Sequence, residues 1–321
     1  MTEQTPDDAA EPDRAHAHDH NQEKDPALHR REPVSFVRRG ARLNTGRQAV
    51  WDRQADTVLV EVPRASAATS VAADAHLDWD AAFGRTAPLL VDIGSGLGES
   101  TAQAGEDRPD WNVLSVEVYI PGLAALMAQV ERRGLTNVRA VEANAPELLD
   151  HLLAPGSVRE VWVFFPDPWH KKRHHKRRLV SPAFADRVAR VLAPGGVLRL
   201  ATDWSGYAVQ MREVMEAHPE FENLFPGRAA GEDSPLTRVR REGRELEVGA
   251  QPLPADVAPD TLENLPLRAG LGEAVAASEA EDPVDHEGGW APRFEGRPLT
   301  QFENKALRAG RLVFDLAYLR R

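Results

Sequence analysis

Asp167 stands between two prolines, in Pro166-Asp167-Pro168-Trp169, directly after the apolar run Val161-Trp162-Val163-Phe164-Phe165 and directly before HKKRHHKRR. Neither proline can donate to a sheet ladder, and each pushes its predecessor out of helical space. A carboxylate and an indole are therefore left at what reads as a strand's carboxyl end. His170 to Arg178 holds six Lys or Arg, three His and no acid, a density of positive charge suited to a polyphosphate backbone. A solvated basic helix start explains the basic run equally well by itself, but not the composite of carboxylate, indole and cationic ledge.

A second constellation lies upstream. In VDIGSGLGEST an apolar strand runs into Gly94, Gly96 and Gly98 at alternate positions, a turn at which a ligand can approach backbone that carries no side chain. Glu99 occupies the place where the dinucleotide pattern sets its third glycine, and an acid there opposes a pyrophosphate at the helix N-terminus. A phosphate-free adenosine derivative suits the turn better; a purely structural glycine turn is the alternative. Glu117 lies near the end of WNVLSVEV, 19 residues beyond Gly98, where a doubly wound sheet brings a carboxylate to two ribose hydroxyls. Taken alone it is an ordinary strand-end acid. Asn144 opens a helix, and its amide suits either an adenine edge or the helix's own N–H groups.

These residues need a scaffold, and the pattern supplies one. Apolar runs at Pro88–Ile93, Trp111–Val118, Asn137–Val141, Val161–Phe165 and Val197–Ala201 read as strands. Helical periodicity fills Tyr119–Gly134, Ser181–Leu192 and Tyr207–His218, and a further helix opens at Ala145. Such alternation between residues 89 and 218 predicts a doubly wound, mostly parallel α/β sheet. Thr45–Arg53 reads as a short helix, Val58–Val62 as a short strand, Ala65–Ala75 as loop and Ala193–Gly196 as a turn. Leu299–Lys305 reads as a helix entrance and Leu312–Tyr318 as a closing antiparallel strand. Thr202-Asp203-Trp204 puts another acid and indole on the rim.

The net charge of -11 and pI near 5.5 argue against a nucleic-acid partner until the charge is placed. Residues 1–29 carry eight acids against Arg14 and Lys24, and residues 251–290 carry nine against Arg268. Residues 1–31 read as a disordered acidic tail, and residues 226–290 as a largely disordered insertion, with a short basic element at Thr237–Arg244, in a domain spanning 32–321. The histidines at 16, 18 and 20 lack fixed geometry, so no metal site is expected. Zero cysteines exclude disulfides and thiolate chemistry. No apolar run approaches the ~18 residues of a membrane span and the N-terminus is acidic, so a cytoplasmic protein is expected.

Together FFPDPWHKKRHHKRR, VDIGSGLGEST, VEVYIPG, LATDW, TQFENKALRAG and the arm SFVRRGARLNTGRQA resemble bacterial tRNA (guanine-N7)-methyltransferases over roughly residues 34–218 and 298–321. The resemblance implies a Rossmann-like class I fold, S-adenosyl-L-methionine as methyl donor and a variable-loop guanine of tRNA as acceptor. It implies a donor pocket lined by Asp92, Glu117, Asn144 and Asp167, with Asp167 also catalytic. It implies that Lys171, Asp203 and Thr300-Gln301-Phe302-Glu303 face the substrate. Asp92 replaces a frequent glutamate and Asn144 a frequent aspartate; both keep hydrogen-bonding capacity. The basic residues Arg38, Arg39, Arg173, Lys176 and Arg177 are further candidates for contact with tRNA phosphates. Competing readings are a methyltransferase acting on an exocyclic amine, suggested by Asp167-Pro168-Trp169, a non-catalytic RNA-binding protein on the same fold, and a nicotinamide-dependent dehydrogenase, which Glu99 disfavours.

Overall fold

The apolar runs become the spine of one sheet because each is short, bounded by breakers and apolar on both faces. The computed structural model describes residues 42–230, 288–308 and 311–321. Along the chain come α1 (Thr45–Val58), α2 (Trp79–Phe83), β1 (Leu89–Ile93), α3 (Glu99–Asp107), β2 (Asn112–Glu117), α4 (Ile120–Arg133), β3 (Val138–Glu142), α5 (Ala145–His151) and β4 (Val158–Phe164). A 3-10 helix (Lys172–Arg177), α6 (Pro182–Val191), β5 (Leu192–Thr202), α7 (Ser205–Glu216), β6 (Phe221–Asn223), α8 (Gln301–Arg308) and β7 (Phe314–Arg320) follow.

The sheet has the order β3-β2-β1-β4-β5-β7-β6. Strands β1 to β5 pair in parallel, and β7 pairs antiparallel with both β5 and β6. The chain winds outward from β1 to β3, then crosses back to β4 on the other side of β1. That reversal opens a crevice at the carboxyl ends of β1 and β4, the place where open α/β sheets bind ligands. Alternate side chains feed two cores: Leu90, Val113 and Trp162 join α1, α3 and α4 on one face, while Val91, Leu114 and Val163 join α5, α6 and α7 on the other. Each wholly buried Leu or Val contributes about 1.5–3 kcal/mol, so helix placement on both faces is strongly set.

Four expectations need correction. Val58–Val62 is not a strand: α1 runs to Val58, which is wholly buried in the core of Leu90, Val113 and Trp162, and only a single bridge from Leu59 to Ala140 follows. Burial of that helix face outweighs the β-branched preference of the run. Ala193–Gly196 does not precede β5 but bulges within it, since Leu192 pairs with Val158 and Val197 with Glu160. Helix α2 and edge strand β6, too short to show a period, went unpredicted. Finally, the ends of the segment read as an insertion, residues 226–230 and 288–290, have no helix or strand but pack on the sheet. The Trp290 N–H donates to Arg228 O at 3.1 Å, and the buried indole lies 5.0 Å from the Phe314 ring. The acidic tail, the arm with Arg38 and Arg39, and most of the insertion, including Thr237–Arg244, lie outside the described residues. Among the described residues no helix is long and apolar enough to cross a membrane.

Candidate active site

Pairing in register brings Ile93 beside Val163, so the glycine turn after β1 and the proline turn after β4 leave the sheet side by side. Along the same edge, Asn144 follows β3, Glu117 ends β2 and Asp203 follows β5. Antiparallel β7 starts there as well, with Phe314 opposite Thr202, which brings α8 to this edge.

The glycine turn is held by packing on one side and open on the other. Gly98 adopts a left-handed φ of 74°, and a Cβ there would stand 2.5 Å from Leu126 Cβ on α4; close helix contact explains this position. Exposed Gly94 differs, because an added Cβ would meet nothing within 4 Å. Glu117 anchors the far wall: its Oε2 accepts from Gly96 N at 2.7 Å, and its Oε1 accepts from Val118 N and Tyr119 N at 2.7 and 2.9 Å. Beneath the turn, Asp92 is buried and accepts from Thr101 Oγ1 at 2.6 Å. Burial pushes the Asp92 carboxyl up to about 7; the Thr101 bond opposes this and the Glu117 charge adds to it.

The proline turn is strained. Phe165 and Trp169 have φ of 53° and 46°, left-handed values that cost a non-glycine residue of order 1–3 kcal/mol. Asp167 is half-buried between them, and among the described residues its carboxylate has no hydrogen-bond or ion-pair partner. Arg178, the last residue of the basic run, supports the turn: buried, it donates Nε to Pro168 O at 2.8 Å and Nη1 to Gln210 Oε1 at 2.7 Å on α7. Lys171, Lys172, Arg173, Lys176 and Arg177 are instead exposed. Trp169 is enclosed by the Arg177 guanidinium, 5.0 Å above its ring, and by His174 at 5.9 Å, an arrangement of packing within the turn.

Across β5, Asp203 is paired with Arg311 at 2.8 Å, and the rings of His170 and Trp204 lie 4.1 Å apart. The four residues at the start of α8 diverge. Thr300 Oγ1 caps the helix, accepting from Glu303 N at 3.2 Å, and the Glu303 carboxylate turns inward to Arg293 and Arg297. Phe302 is half exposed, with a ring carbon 3.8 Å from where a Cβ on Gly96 would stand. Gln301 N donates to Glu99 Oε2 at 3.3 Å. Glu99 thus caps α8 from the other wall of the crevice, and burial raises its carboxyl despite that bond.

A family model described as a putative methyltransferase matches residues 86–247. The chain is 54% identical over 289 residues to the tRNA (guanine-N(7)-)-methyltransferase of Paenarthrobacter aurescens (strain TC1), covering 90% of this chain and 92% of that protein. It is also 54% identical over 288 residues to the protein of the same name from Arthrobacter sp. (strain FB24), covering 90% and 86%. The chain belongs to the tRNA (guanine-N7)-methyltransferase family. Among solved structures it is similar to geranyl diphosphate C-methyltransferase from Streptomyces coelicolor A3(2), at 14% identity and a TM-score of 0.40 over 74% of this chain and 75% of that one.

In this methyltransferase the open side of Gly94, the Glu117 carboxylate at the end of β2 and the adjacent Asp92 fit S-adenosyl-L-methionine, a ligand with two ribose hydroxyls and a positive charge. Asn144 makes no side-chain cap to α5; its amide approaches Glu147 Oε1 at 3.4 Å, and its backbone N–H donates to Thr69 O at 2.7 Å. Sequence reasoning read Ala65–Ala75 as loop but gave it no part in the site. Val71 N donates to Glu147 Oε2 at 2.7 Å, so the stretch of small residues before β1 walls the Asn144 end of the crevice. It also missed Glu99 as the cap of α8, a pairing 202 residues apart in sequence that no local pattern encodes.

Proposed function

We propose that this protein transfers a methyl group from S-adenosyl-L-methionine to N7 of a guanine in the variable loop of tRNA. Family membership supports the reaction, and the juxtaposition of the open glycine turn with the Asp167 carboxylate across the β1–β4 crevice carries the assignment of the site. In this reading Glu117 accepts from the donor's ribose, Gly94, Gly96 and Gly98 let the donor lie on bare backbone, and Asn144 meets the adenine. Asp92 supplies buried negative charge near the donor's cationic end.

S-adenosyl-L-methionine supplies an electrophilic methyl group when bound. Guanine N7 already presents an in-plane lone pair, so no base is required to remove a proton, and alignment is the main task. Methylation makes the purine cationic. Asp167, whose carboxylate has no hydrogen-bond or ion-pair partner among the described residues, stabilises that developing charge and accepts from the N–H edge of the base. Asp203 and exposed Phe302, with Gln301 beside it, flank the base, and Thr300 and Glu303 set the helix that presents them. Lys171, Arg173, Lys176 and Arg177 form the exposed ledge for tRNA phosphates, and Arg38 and Arg39 of the arm are further candidates for phosphate contact. A tRNA substrate places the protein in the cytoplasm. The negative charge of residues 1–31 and 226–290 limits non-specific RNA binding.

Incubating purified protein with labelled donor and unmodified tRNA, then mapping the labelled nucleoside, tests the assignment. The expected product is 7-methylguanosine in the variable loop. Label on an exocyclic amine would favour the rival suggested by Asp167-Pro168-Trp169, and no incorporation with intact tRNA binding would favour a non-catalytic RNA-binding protein.

A further inference from the structure

The two walls of the crevice come from separate elements, and one buried side chain reaches the supports of both. Arg297 has no exposed side-chain surface. It donates Nε to Glu303 Oε2 at 3.1 Å and Nη2 to Glu303 Oε1 at 3.2 Å, and its Nη1 and Nη2 reach the two Asp315 oxygens at 2.5 and 3.1 Å. Its guanidinium carbon also lies 5.1 Å from the Phe164 ring centre and 5.5 Å from that of Phe165. Glu303 directly follows Phe302, which rests against Gly96; Phe165 begins the strained turn that bears Asp167. Arg293 adds a second bidentate grip on Glu303, at 2.7 and 2.9 Å.

Stability alone does not account for such a cluster. Wholly burying a guanidinium and two carboxylates costs several kcal/mol of desolvation per ion, and apolar residues of similar volume commonly hold a core as well. A planar guanidinium offers something they lack, fixed directions to several partners at once. Burial would raise the Glu303 carboxyl, but the Arg297 and Arg293 charges outweigh it and hold Glu303 below the ordinary range, so the cluster stays ionised.

We infer that Arg297 is a positioning residue for methyl transfer, setting Phe302 against the glycine turn and holding the Asp167 turn in register with it. This inference rests on the proposed reading of the glycine turn and Asp167 as the two walls of one site. Displacement of a reacting group by about 1 Å can cost a hundredfold in rate. Arg297→Lys keeps the charge but cannot span Glu303 and Asp315 with the same plane; the near-isosteric Asp315→Asn loosens the same grip with less risk to folding.

The test is a double-mutant cycle with Phe302→Ala, read as kcat on tRNA at saturating donor. A nitroxide on Phe302→Cys, a unique thiol in this cysteine-free chain, adds a readout independent of activity. If Arg297 acts through Phe302, R297K and D315N each lower kcat by about ten- to a hundredfold. F302A then costs clearly less in those backgrounds than in the wild type, and the label becomes more mobile in folded protein. A purely structural role lowers the melting temperature but leaves the F302A factor and the label spectrum unchanged, which overturns the inference. Donor titration of the wild type and of a Gly94→Val variant runs alongside. Equal affinity in both would overturn the reading of the glycine turn, and the inference with it, whereas a loss confined to the variant leaves the cycle to decide on Arg297.

Discussion

Replacing Asp92 by Asn tests whether a buried carboxylate beneath the glycine turn is kept for function at a cost to stability. Burial raises this carboxyl from 3.8 to about 7, so ionising it in the folded state costs about 4 kcal/mol relative to the unfolded chain. A carboxyl raised on folding contributes stability that is fully present below its unfolded value and is lost as pH rises through its folded value. Wild-type stability should therefore fall relative to Asp92→Asn between about pH 4 and pH 8, with about 2–3 kcal/mol of the change lying between about pH 5 and pH 8. The Asn carbonyl can still accept from Thr101, so packing changes little. Urea unfolding of both proteins at the two pH values reads this difference directly. Donor affinity should move the other way: a cation held near Asp92 favours the carboxylate, so wild-type affinity rises by up to about tenfold per pH step below 7 and levels off above, while D92N stays flat. A wild-type–variant stability gap that does not change with pH, together with parallel donor affinities, would refute the assignment of that charge.

Charge reversal at Lys171, Arg173, Lys176 or Arg177 should weaken tRNA binding, and each should reduce the salt slope by about 0.7–0.9, as read by binding titrations across salt. Arg178→Gln, by contrast, should leave that slope unchanged while destabilising the protein by about 1–3 kcal/mol and lowering kcat, because Arg178 holds Pro168 to α7. Desolvation, then the charges of Arg173 and Arg177, push the His174 imidazole below its ordinary value, and tRNA phosphates would raise it. Binding thus takes up a proton, and affinity should rise as pH falls; His174→Gln should lose that dependence, and an unaltered pH profile would count against His174 facing the backbone.

Most of the sheet was legible because its strands are short, apolar and bounded by Gly or Pro; Leu312–Tyr318 was read as a closing strand, but β7 lies inside the sheet between β5 and β6 with Phe314 to Tyr318 all buried. The site was legible wherever chemistry sits at a strand's carboxyl end in local sequence: Gly94 to Gly98, Glu117, Asp167 and Asp203 all fall on one edge. What could not be read is long-range. The sequence treats His170 to Arg178 as one basic run, yet packing against α7 buries Arg178 and leaves its neighbours in solvent. Thr300 to Glu303 looks like one recognition segment, but helical geometry sends Phe302 outward and Glu303 into the Arg297 cluster. The β-branched run at Val58 failed as a strand because tertiary burial of α1 decides it.

The carboxylate of Asp167 is the group that acts at the methyl-transfer step in this reading. Single-turnover transfer from prebound donor to tRNA, measured for the wild type and for Asp167→Asn alongside donor affinity, tests this most directly. The predicted result is a rate lower by about a hundred- to a thousandfold with donor affinity changed only about twofold or less. An unchanged transfer rate, or a loss of rate matched by an equal loss of donor binding, would contradict it.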